Sequence, residues 1–163
     1  KHLKTYSISL GDNPVGHKEK EGDEKTPEGL YNISGRNPNS KYHLSLGLNY
    51  PNASDKILSD SVRPGSAIYI HGSCVSTGCI AISDIPIEEL YIIASNVKSN
   101  GQDFIPVHVF PVKYSVQKSI DYLTETVKSS LTINKFILSL KAAFDYFEEK
   151  KQLPVIQIKK NGK

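Results

Sequence analysis

The sequence predicts an α+β fold, a mostly β domain with C-terminal helices packed on it. Short apolar runs occupy the first two thirds of the 163-residue chain, and longer runs with helical spacing follow. Strands first and helices last is the order typical of α+β domains. Hydrophobic residues make up 38% and charged residues 23%, so the chain can bury a core without disulfides. We expect residues 1–112 to form the β domain and residues 113–163 a helical extension of the same domain.

The predicted strands follow one another along the first domain. Apolar side chains alternate or run continuously over the segments 5–10, 30–33, 42–48, 67–70, 79–82 and 105–112. The runs 67–70 and 79–82 are almost wholly apolar, as in buried central strands. Residues 11–14 predict a turn, residues 16–29 an ordered polar loop, and residues 49–64 a turn-rich insertion.

Three helices are predicted, one before the strand at residues 105–112 and two after it. Pro86–Val97 follows Ser83 and Asp84, both suited to cap a helix, and residues 117–129 form a weaker candidate. A third helix carries apolar residues at helical spacing, which we interpret as core rather than a ligand site: Ile133, Phe136, Ile137, Leu140, Phe144 and Phe147. Pro154 ends it, and residues 155–158 predict a last strand.

The charge excludes some functions. Twenty Lys and Arg face 17 Asp and Glu, a net charge of +3, which argues against nucleic acid as the main partner. Residues 1–112 carry a net −2 and residues 113–163 a net +5, so the basic end either docks on an anionic surface or is a solvated helix face. No apolar run approaches the roughly 18 residues of a membrane span. The chain lacks Met, even at position 1, so we expect a trimmed or mature fragment whose upstream signals are not visible.

The segment between residues 70 and 80 carries candidate chemistry. His71 ends one apolar run and Cys79 begins the next. A thiol is mostly protonated at neutral pH and needs a neighbouring base to act as a nucleophile, and imidazole is the usual base. The short loop between the two residues can fold back and bring the ring and the sulfur together.

The glycines of this loop add to the hypothesis. Gly72 and Gly78 lack a Cβ, so we expect substrate backbone to approach closely at both. The amides of Thr77, Gly78 and Cys79 would then form an oxyanion hole.

Three other interpretations of the cysteines remain open. His71, Cys74 and Cys79 would bind zinc if His43 or His108 supplied a fourth ligand, although the spacing is loose. Cys74 and Cys79 would form a local disulfide in an oxidising compartment, as a regulatory state rather than a scaffold. The third interpretation is two ordinary buried thiols beside a core histidine.

The same residues carry a resemblance to a known family. Residues 70–72, Ile-His-Gly, followed by residues 76–79, Ser-Thr-Gly-Cys, resemble the catalytic motif of the L,D-transpeptidase family (the YkuD domain), most closely its YafK-like branch. The polar loop and Thr-Pro-Glu-Gly of residues 16–31 and the segments 40–52 and 64–65 support the likeness, which runs from about residue 5 to residue 112.

The resemblance implies a mostly β catalytic domain that acts on peptidoglycan stem peptides in the periplasm or cell envelope. By match, Cys79 attacks the carbonyl at the L-centre of diaminopimelate to form a thioester, and His71 is the base, oriented by the Gly72 carbonyl. Water as acceptor would make a hydrolase, an amidase or L,D-carboxypeptidase, and the branch includes members that resemble hydrolases releasing a peptidoglycan-linked lipoprotein. An amine would make a transpeptidase that forms 3–3 cross-links or attaches protein. The chemistry requires no metal or cofactor, and we expect a monomer.

The motif departs from the family's commonest pattern. Its His-to-Cys spacing is short, and Ala81 stands where an Arg or Asn is common, so we consider Arg36 and Arg63 as substrate-carboxylate ligands. Tyr42 and His43 lie on a strand predicted beside His71, and we expect one of them to face the cleft. The candidate substrate-binding set is therefore Ser76, Thr77, Gly78, Tyr42, His43, Arg36 and Arg63.

The polar loop offers further candidates. Lys18, Glu21 and Asp23 are either substrate contacts or salt-bridged supports, and we favour support for the two acids. A different class of function, a non-catalytic peptidoglycan-binding or zinc-stabilised module, stays open.

Overall fold

The computed structural model describes residues 2–12, 16–127 and 131–160, apart from the side chains at 127 and 131–133. Within these residues the strands are β1 (Gly29–Ser40), β2 (His43–Leu48), β3 (Tyr69–His71), β4 (Ile80–Ala81) and β5 (Pro106–Val109). The helices are α1 (Asp55–Leu58), α2 (Asp84–Ser99), α3 (Gln117–Val127) and α4 (Leu131–Lys150). The α+β prediction is confirmed.

The strands form one mixed sheet in the order β4-β3-β2-β1-β5. The long strand β1 pairs antiparallel with β5 through its first residues and with β2 through the rest, and β2 pairs antiparallel with β3. β3 and β4 are parallel, although only residues 72–79 join them. Parallel neighbours usually need a crossover of a dozen or more residues, so this connection is unusually tight.

Two apolar clusters hold the elements together. The first lies between the sheet and α2, which packs on β2 and β3: Tyr31, Ile33, Leu46, Leu48, Tyr50, Ile68, Ile70, Ile82, Ile87 and Ala94. The second joins α3 and α4: Tyr114, Leu123, Phe136, Ile137 and Leu140. His17 against Phe136 and His108 against Phe147 connect α4 to the β domain. The aromatic stripe of α4 is thus a packing surface, as predicted. None of the described helices is both long and apolar enough to cross a membrane.

Two predicted strands are wrong. In residues 5–10 only Ser9 pairs, through its amide to the Ala81 carbonyl oxygen at 2.8 Å, because the edge strand β4 offers just two residues. Residues 155–158 form no strand, and Val155 is 94% exposed. Alternation of polar and apolar residues does not by itself provide a second strand to pair with. Residues 13 and 14 of the predicted turn, residues 128 and 129 of the second helix and the side chain of residue 133 lie outside the described part of the chain.

Candidate active site

The parallel pairing of β3 and β4 brings the predicted base and nucleophile together. Ile70 is level with Ile80, and His71 with Ala81. Cys79 immediately precedes β4, and alternate residues of a strand point to the same face. Cys79 therefore precedes the register partner of His71 by two residues, an offset of about 6–7 Å along the strands. The two isoleucines point to the opposite face.

His71 is held by its own backbone neighbourhood. The side chain is 2% exposed, and its Nδ1 lies 2.5 Å from the carbonyl oxygen of Gly72. A carbonyl only accepts hydrogen bonds, so Nδ1 carries the hydrogen and Nε2 keeps the lone pair that a base needs. The Tyr42 ring stacks on the imidazole at 4.7 Å between centroids, with 27° between the planes.

Cys79 is a half-buried thiol. Its Sγ lies 3.6 Å from the carbonyl oxygen of Ala67. Burial raises the pKa of the Cys79 thiol, while a backbone hydrogen bond from Tyr69 and the positive charge of Lys18 act in the opposite direction. The resting group is therefore the neutral thiol at pH 7. Among the described residues, the hydrogen bonds of His71 and Cys79 are made with backbone groups and not with each other.

The two loop glycines are filled by protein rather than left open to substrate. A Cβ on Gly72 would lie 2.6 Å from Asp84 Oδ1 and 2.7 Å from the Tyr42 carbonyl oxygen. A Cβ on Gly78 would lie 2.7 Å from the Lys25 carbonyl oxygen, and its φ of +121° also favours glycine. The expectation that these positions admit substrate backbone is wrong, because the chain's own backbone and a carboxylate already occupy the space.

Sequence reasoning missed Asp84, which it read only as a helix cap. The carboxylate accepts the Ser73 amide at 2.7 Å and makes no capping hydrogen bond within α2. It therefore ties the start of α2 to the loop after His71. Its position at a helix start was the only signal in the sequence.

The Ser76 hydroxyl supports the loop before Cys79 through two hydrogen bonds. It accepts the Gly78 amide at 3.1 Å and donates to the Cys79 carbonyl oxygen at 2.7 Å. The Gly78 amide is thereby occupied, which leaves the amides of Thr77 and Cys79 as candidate oxyanion donors.

A cavity of about 320 Å³ opens beside Cys79. The loop before β1 and the segment before β3 form its walls. Its lining residues are Lys18, Glu21, Gly22, Glu24, Gly65, Ser66, Ala67, Ile68, Thr77 and Cys79. Most of the side chains that can contact a substrate here are charged or polar.

Asp23 supports the cavity wall, as favoured from the sequence. Its carboxylate accepts Lys18 Nζ at 2.6 Å and the amides of Glu19, Lys20 and Lys25. These hydrogen bonds outweigh burial and hold the pKa of Asp23 below its usual value.

The remaining predicted residues are distributed unevenly. Arg63 pairs with Glu21 at 3.1 Å, on the rim of the cavity. His43 is exposed and lies 2.6 Å from a carboxylate oxygen of Glu88 on α2. Arg36 is exposed on β1 and does not line the cavity. Of the strand candidates, the structure brings Tyr42 to His71 and leaves His43 and Arg36 elsewhere.

The metal and disulfide alternatives find no support in the geometry. Cys74 is exposed and Cys79 half-buried, and both thiols are free. Over residues 2–12, 16–127 and 131–160, no three His, Cys, Asp or Glu side chains are grouped to hold a metal ion. The zinc set centred on His71 is therefore not assembled.

Comparison with known proteins identifies the family of the chain. The family model of the L,D-transpeptidase catalytic domain (YkuD) matches residues 1–109. YafK of Escherichia coli (strain K12), provisionally named an L,D-transpeptidase, is 29% identical over 159 residues, 96% of this chain and 61% of the relative. The chain thus spans about three fifths of that relative's length.

Two solved structures share the fold. The helical cell shape determining protein Pgp2 from Campylobacter jejuni aligns with a TM-score of 0.52 and 22% identity, over 93% of this chain and 62% of that one. A point mutant of the same protein aligns with a TM-score of 0.52 and 20% identity, over 85% and 58%. At this identity the likeness concerns the fold.

Proposed function

The chain belongs to the L,D-transpeptidase catalytic domain (YkuD) family, and we propose that it is a cysteine-dependent enzyme that cleaves peptidoglycan stem peptides. The family and the relative YafK imply a peptidoglycan-modifying role. The observation that supports the finer proposal is that Cys79, which lines an open cavity, directly precedes the strand β4 that pairs with the strand of His71.

The first half-reaction is acyl transfer to sulfur. The Cys79 proton passes to Nε2 of His71, and the sulfur attacks the carbonyl carbon at the L-centre of diaminopimelate. The amides of Thr77 and Cys79 are the candidates to bind the developing oxyanion. The C–N bond then breaks, the leaving amine takes the proton from His71, and a thioester remains on Cys79. The Gly72 carbonyl stabilises the imidazolium through Nδ1 in both proton transfers.

The second half-reaction is hydrolysis. His71 removes a proton from water, the hydroxide attacks the thioester carbonyl, and the thiol and a free carboxylic acid are released. The charged side chains of Lys18, Glu21 and Glu24 border the cavity, so it stays hydrated and gives water access to the thioester. Such an enzyme is an amidase or L,D-carboxypeptidase rather than a transpeptidase.

The setting follows from the substrate. Peptidoglycan lies outside the cytoplasmic membrane, so we propose that the chain works in the periplasm or cell envelope. We also propose that it acts as a monomer. Residues 113–163 would belong to the same domain, since α4 packs on its histidines. Pgp2 is named for determining helical cell shape, and trimming of stem peptides would give this chain a comparable route to cell shape.

The test compares reaction products. The protein and its Cys79→Ala variant are incubated with free tetrapeptide muropeptides and with peptidoglycan that carries attached lipoprotein, and mass spectrometry identifies the products. The matched control is Cys74→Ala, which removes the other, exposed thiol. We expect tripeptides with water added, or freed lipoprotein, from the protein and the control but not from Cys79→Ala.

Other products would change the conclusion. New 3–3 cross-links or exchanged terminal amino acids, lost in Cys79→Ala, would make the chain a transpeptidase. Equal activity of Cys79→Ala would refute the nucleophile. No product from any protein would favour a peptidoglycan-binding module.

A further inference from the structure

A buried cation lies in the wall of the nucleophile's cavity. Lys18 is only 4% exposed and lines the same cavity of about 320 Å³ as Cys79. Its Nζ donates to Asp23 Oδ1 at 2.6 Å and to the Lys20 carbonyl oxygen at 3.0 Å. Lysine is almost never fully buried without such partners. These two hydrogen bonds therefore hold the ammonium group of Lys18 in place.

The packing around the aliphatic part of the Lys18 side chain also fixes its position. The Cβ position of Gly65 lies 3.2 Å from Lys18 Cε, so the backbone of the segment before β3 closes on the side chain. A larger residue at Gly65, whose φ is +91°, would displace the stem. The loop before β1 and the segment before β3 thus clamp one cation beside one thiol.

The charge of Lys18 is only partly neutralised by its partner. The Asp23 carboxylate is shared with three backbone amides besides the ammonium group. An ammonium has three N–H donors, and two are used by the hydrogen bonds described above. Lys18 also lines the cavity of Cys79, so its positive charge acts on that space as well as on Asp23.

We propose that Lys18 is a positioning residue for the nucleophile, whose ammonium group stabilises the thiolate of Cys79 during acyl transfer. The inference rests on the proposed function and adds a role that the motif around Cys79 does not contain. The Lys18 charge opposes the rise in the Cys79 pKa that burial causes, as does the Tyr69 amide. His71 receives the proton, and Lys18 makes the anion left behind less unfavourable.

Other charged groups line the cavity or lie near it, and their charges would act with or against that of Lys18. Glu21 and Glu24, on the same loop, line the cavity and disfavour a thiolate. Arg63, from the segment before β3, is paired with Glu21 and reduces its effect. His71, on β3, favours a thiolate once it is protonated. Of the cavity-lining side chains, Lys18 supplies the positive charge.

The experiment measures the pH profile of alkylation at Cys79, which requires no substrate. Iodoacetamide rates are followed by peptide mass for the protein and for Lys18→Gln, with exposed Cys74 as an internal reference. We expect the midpoint of the Cys79 profile to rise by about one pH unit, so that alkylation below the midpoint slows about tenfold. The rate at the high-pH plateau, which reports access to the sulfur, should stay the same.

Two further variants make the result specific. Lys25→Gln removes a lysine of the same loop that does not line the cavity, and it should leave the midpoint unchanged. Asp23→Asn removes the counter-charge of Lys18 while keeping one acceptor oxygen, and it should lower the midpoint. If Lys18 and Asp23 only supported the loop, Lys18→Gln and Asp23→Asn would both change the plateau rate. They would not move the midpoint of the Cys79 profile in opposite directions.

The outcomes separate this inference from the proposed function. An unchanged midpoint in Lys18→Gln, or an equal shift in Lys25→Gln, would overturn the role of Lys18 even if muropeptides are cleaved. A raised midpoint in a protein that yields no peptidoglycan product would refute the proposed function and leave the electrostatic coupling standing. If Lys18→Gln does not fold, a midpoint in Asp23→Asn that stays the same or rises overturns the inference.

Discussion

Acidification should act on two buried groups whose effects on stability oppose each other. His17 and Glu28 are 4% and 7% exposed, and His17 Nδ1 lies 3.8 Å from Glu28 Oε2, too far for a hydrogen bond. Burial lowers the pKa of His17 from 6.5 to about 4. Burial raises the pKa of Glu28 from 4.5 to about 7. Between about pH 4 and about pH 7 both side chains are therefore neutral in the folded protein.

The size of the effect on the unfolding free energy follows from the two pKa shifts. Each pKa moves by about 2.5 units, and at about 1.4 kcal/mol per unit this corresponds to ~3 kcal/mol of unfolding free energy. The lowered pKa of His17 gives stability that is complete above pH 6.5 and lost as the pH falls toward about 4. The raised pKa of Glu28 gives stability that is complete below pH 4.5 and lost as the pH rises toward about 7. In the shared window the two slopes nearly cancel.

Single substitutions should uncover each slope. For Glu28→Gln, the unfolding free energy relative to the native chain should fall by ~3 kcal/mol between pH 7 and pH 4.5, because the gain from Glu28 is lost. For His17→Gln, it should rise by ~3 kcal/mol between pH 6.5 and pH 4, because the loss from His17 is removed. Differences from the native chain cancel the contributions of other titrating groups such as Asp55.

The assay is urea-induced unfolding followed by far-UV circular dichroism, with extrapolation to water at each pH. Glu19→Gln, at an exposed position of the same loop, is the matched control for replacing a glutamate by glutamine. Pronounced pH slopes of the same sign in both test variants, or no slope in either, would refute the argument from burial.

Two further substitutions test the surroundings of the base. Gly72→Ala should lower the free energy of unfolding by about 2 kcal/mol or more, because the new Cβ would lie 2.6 Å from Asp84 Oδ1. Urea-induced unfolding measures this, and a loss below about 0.5 kcal/mol would mean that α2 moves aside without difficulty. Tyr42→Leu should slow muropeptide cleavage about three- to tenfold with little change in stability, because it removes the ring stacked on His71. Steady-state kinetics on tetrapeptide muropeptides test this, and an unchanged kcat/KM would show that the stack does not orient the imidazole.

Local sequence patterns predicted the elements whose side chains carry the pattern themselves. The apolar runs before His71 and after Cys79 became β3 and β4, and the stripe beginning near residue 133 became α4. In contrast, β1 continues to Ser40 through mostly exposed residues, and only its pairing with β2 makes that half a strand. The alternation in residues 5–10 predicted a strand that has almost no partner to pair with. A strand forms only when two segments pair by hydrogen bonds, and a local stretch of sequence contains only one of the two.

The candidate site divides in the same way. The spacing of His71 and Cys79 is visible in a short stretch of sequence, and the contact of the Gly72 carbonyl with His71 was expected from the family resemblance. The burial of Lys18 and the approach of Asp84 to the loop depend on segments far apart in sequence. The loop glycines were noticed but misinterpreted, because their crowding comes from those same distant segments.

The tight connection between β3 and β4 has a consequence for how such a site can diversify. The proposed base, His71, ends β3, and the proposed nucleophile, Cys79, directly precedes the paired strand β4, so the sheet fixes the relative position of the two backbones. Under the proposed function, substrate selection would fall to the loop at residues 16–28 and the segment before β3, whose residues 18–24 and 65–68 contribute to the cavity lining together with Cys79. Because Lys18 lies in the first of these segments, a graft of residues 16–28 would change both the peptide that is admitted and the stabilisation of the Cys79 thiolate, unless Lys18 and Asp23 are kept. A graft of residues 65–68 alone would change the cavity wall without touching that ion pair.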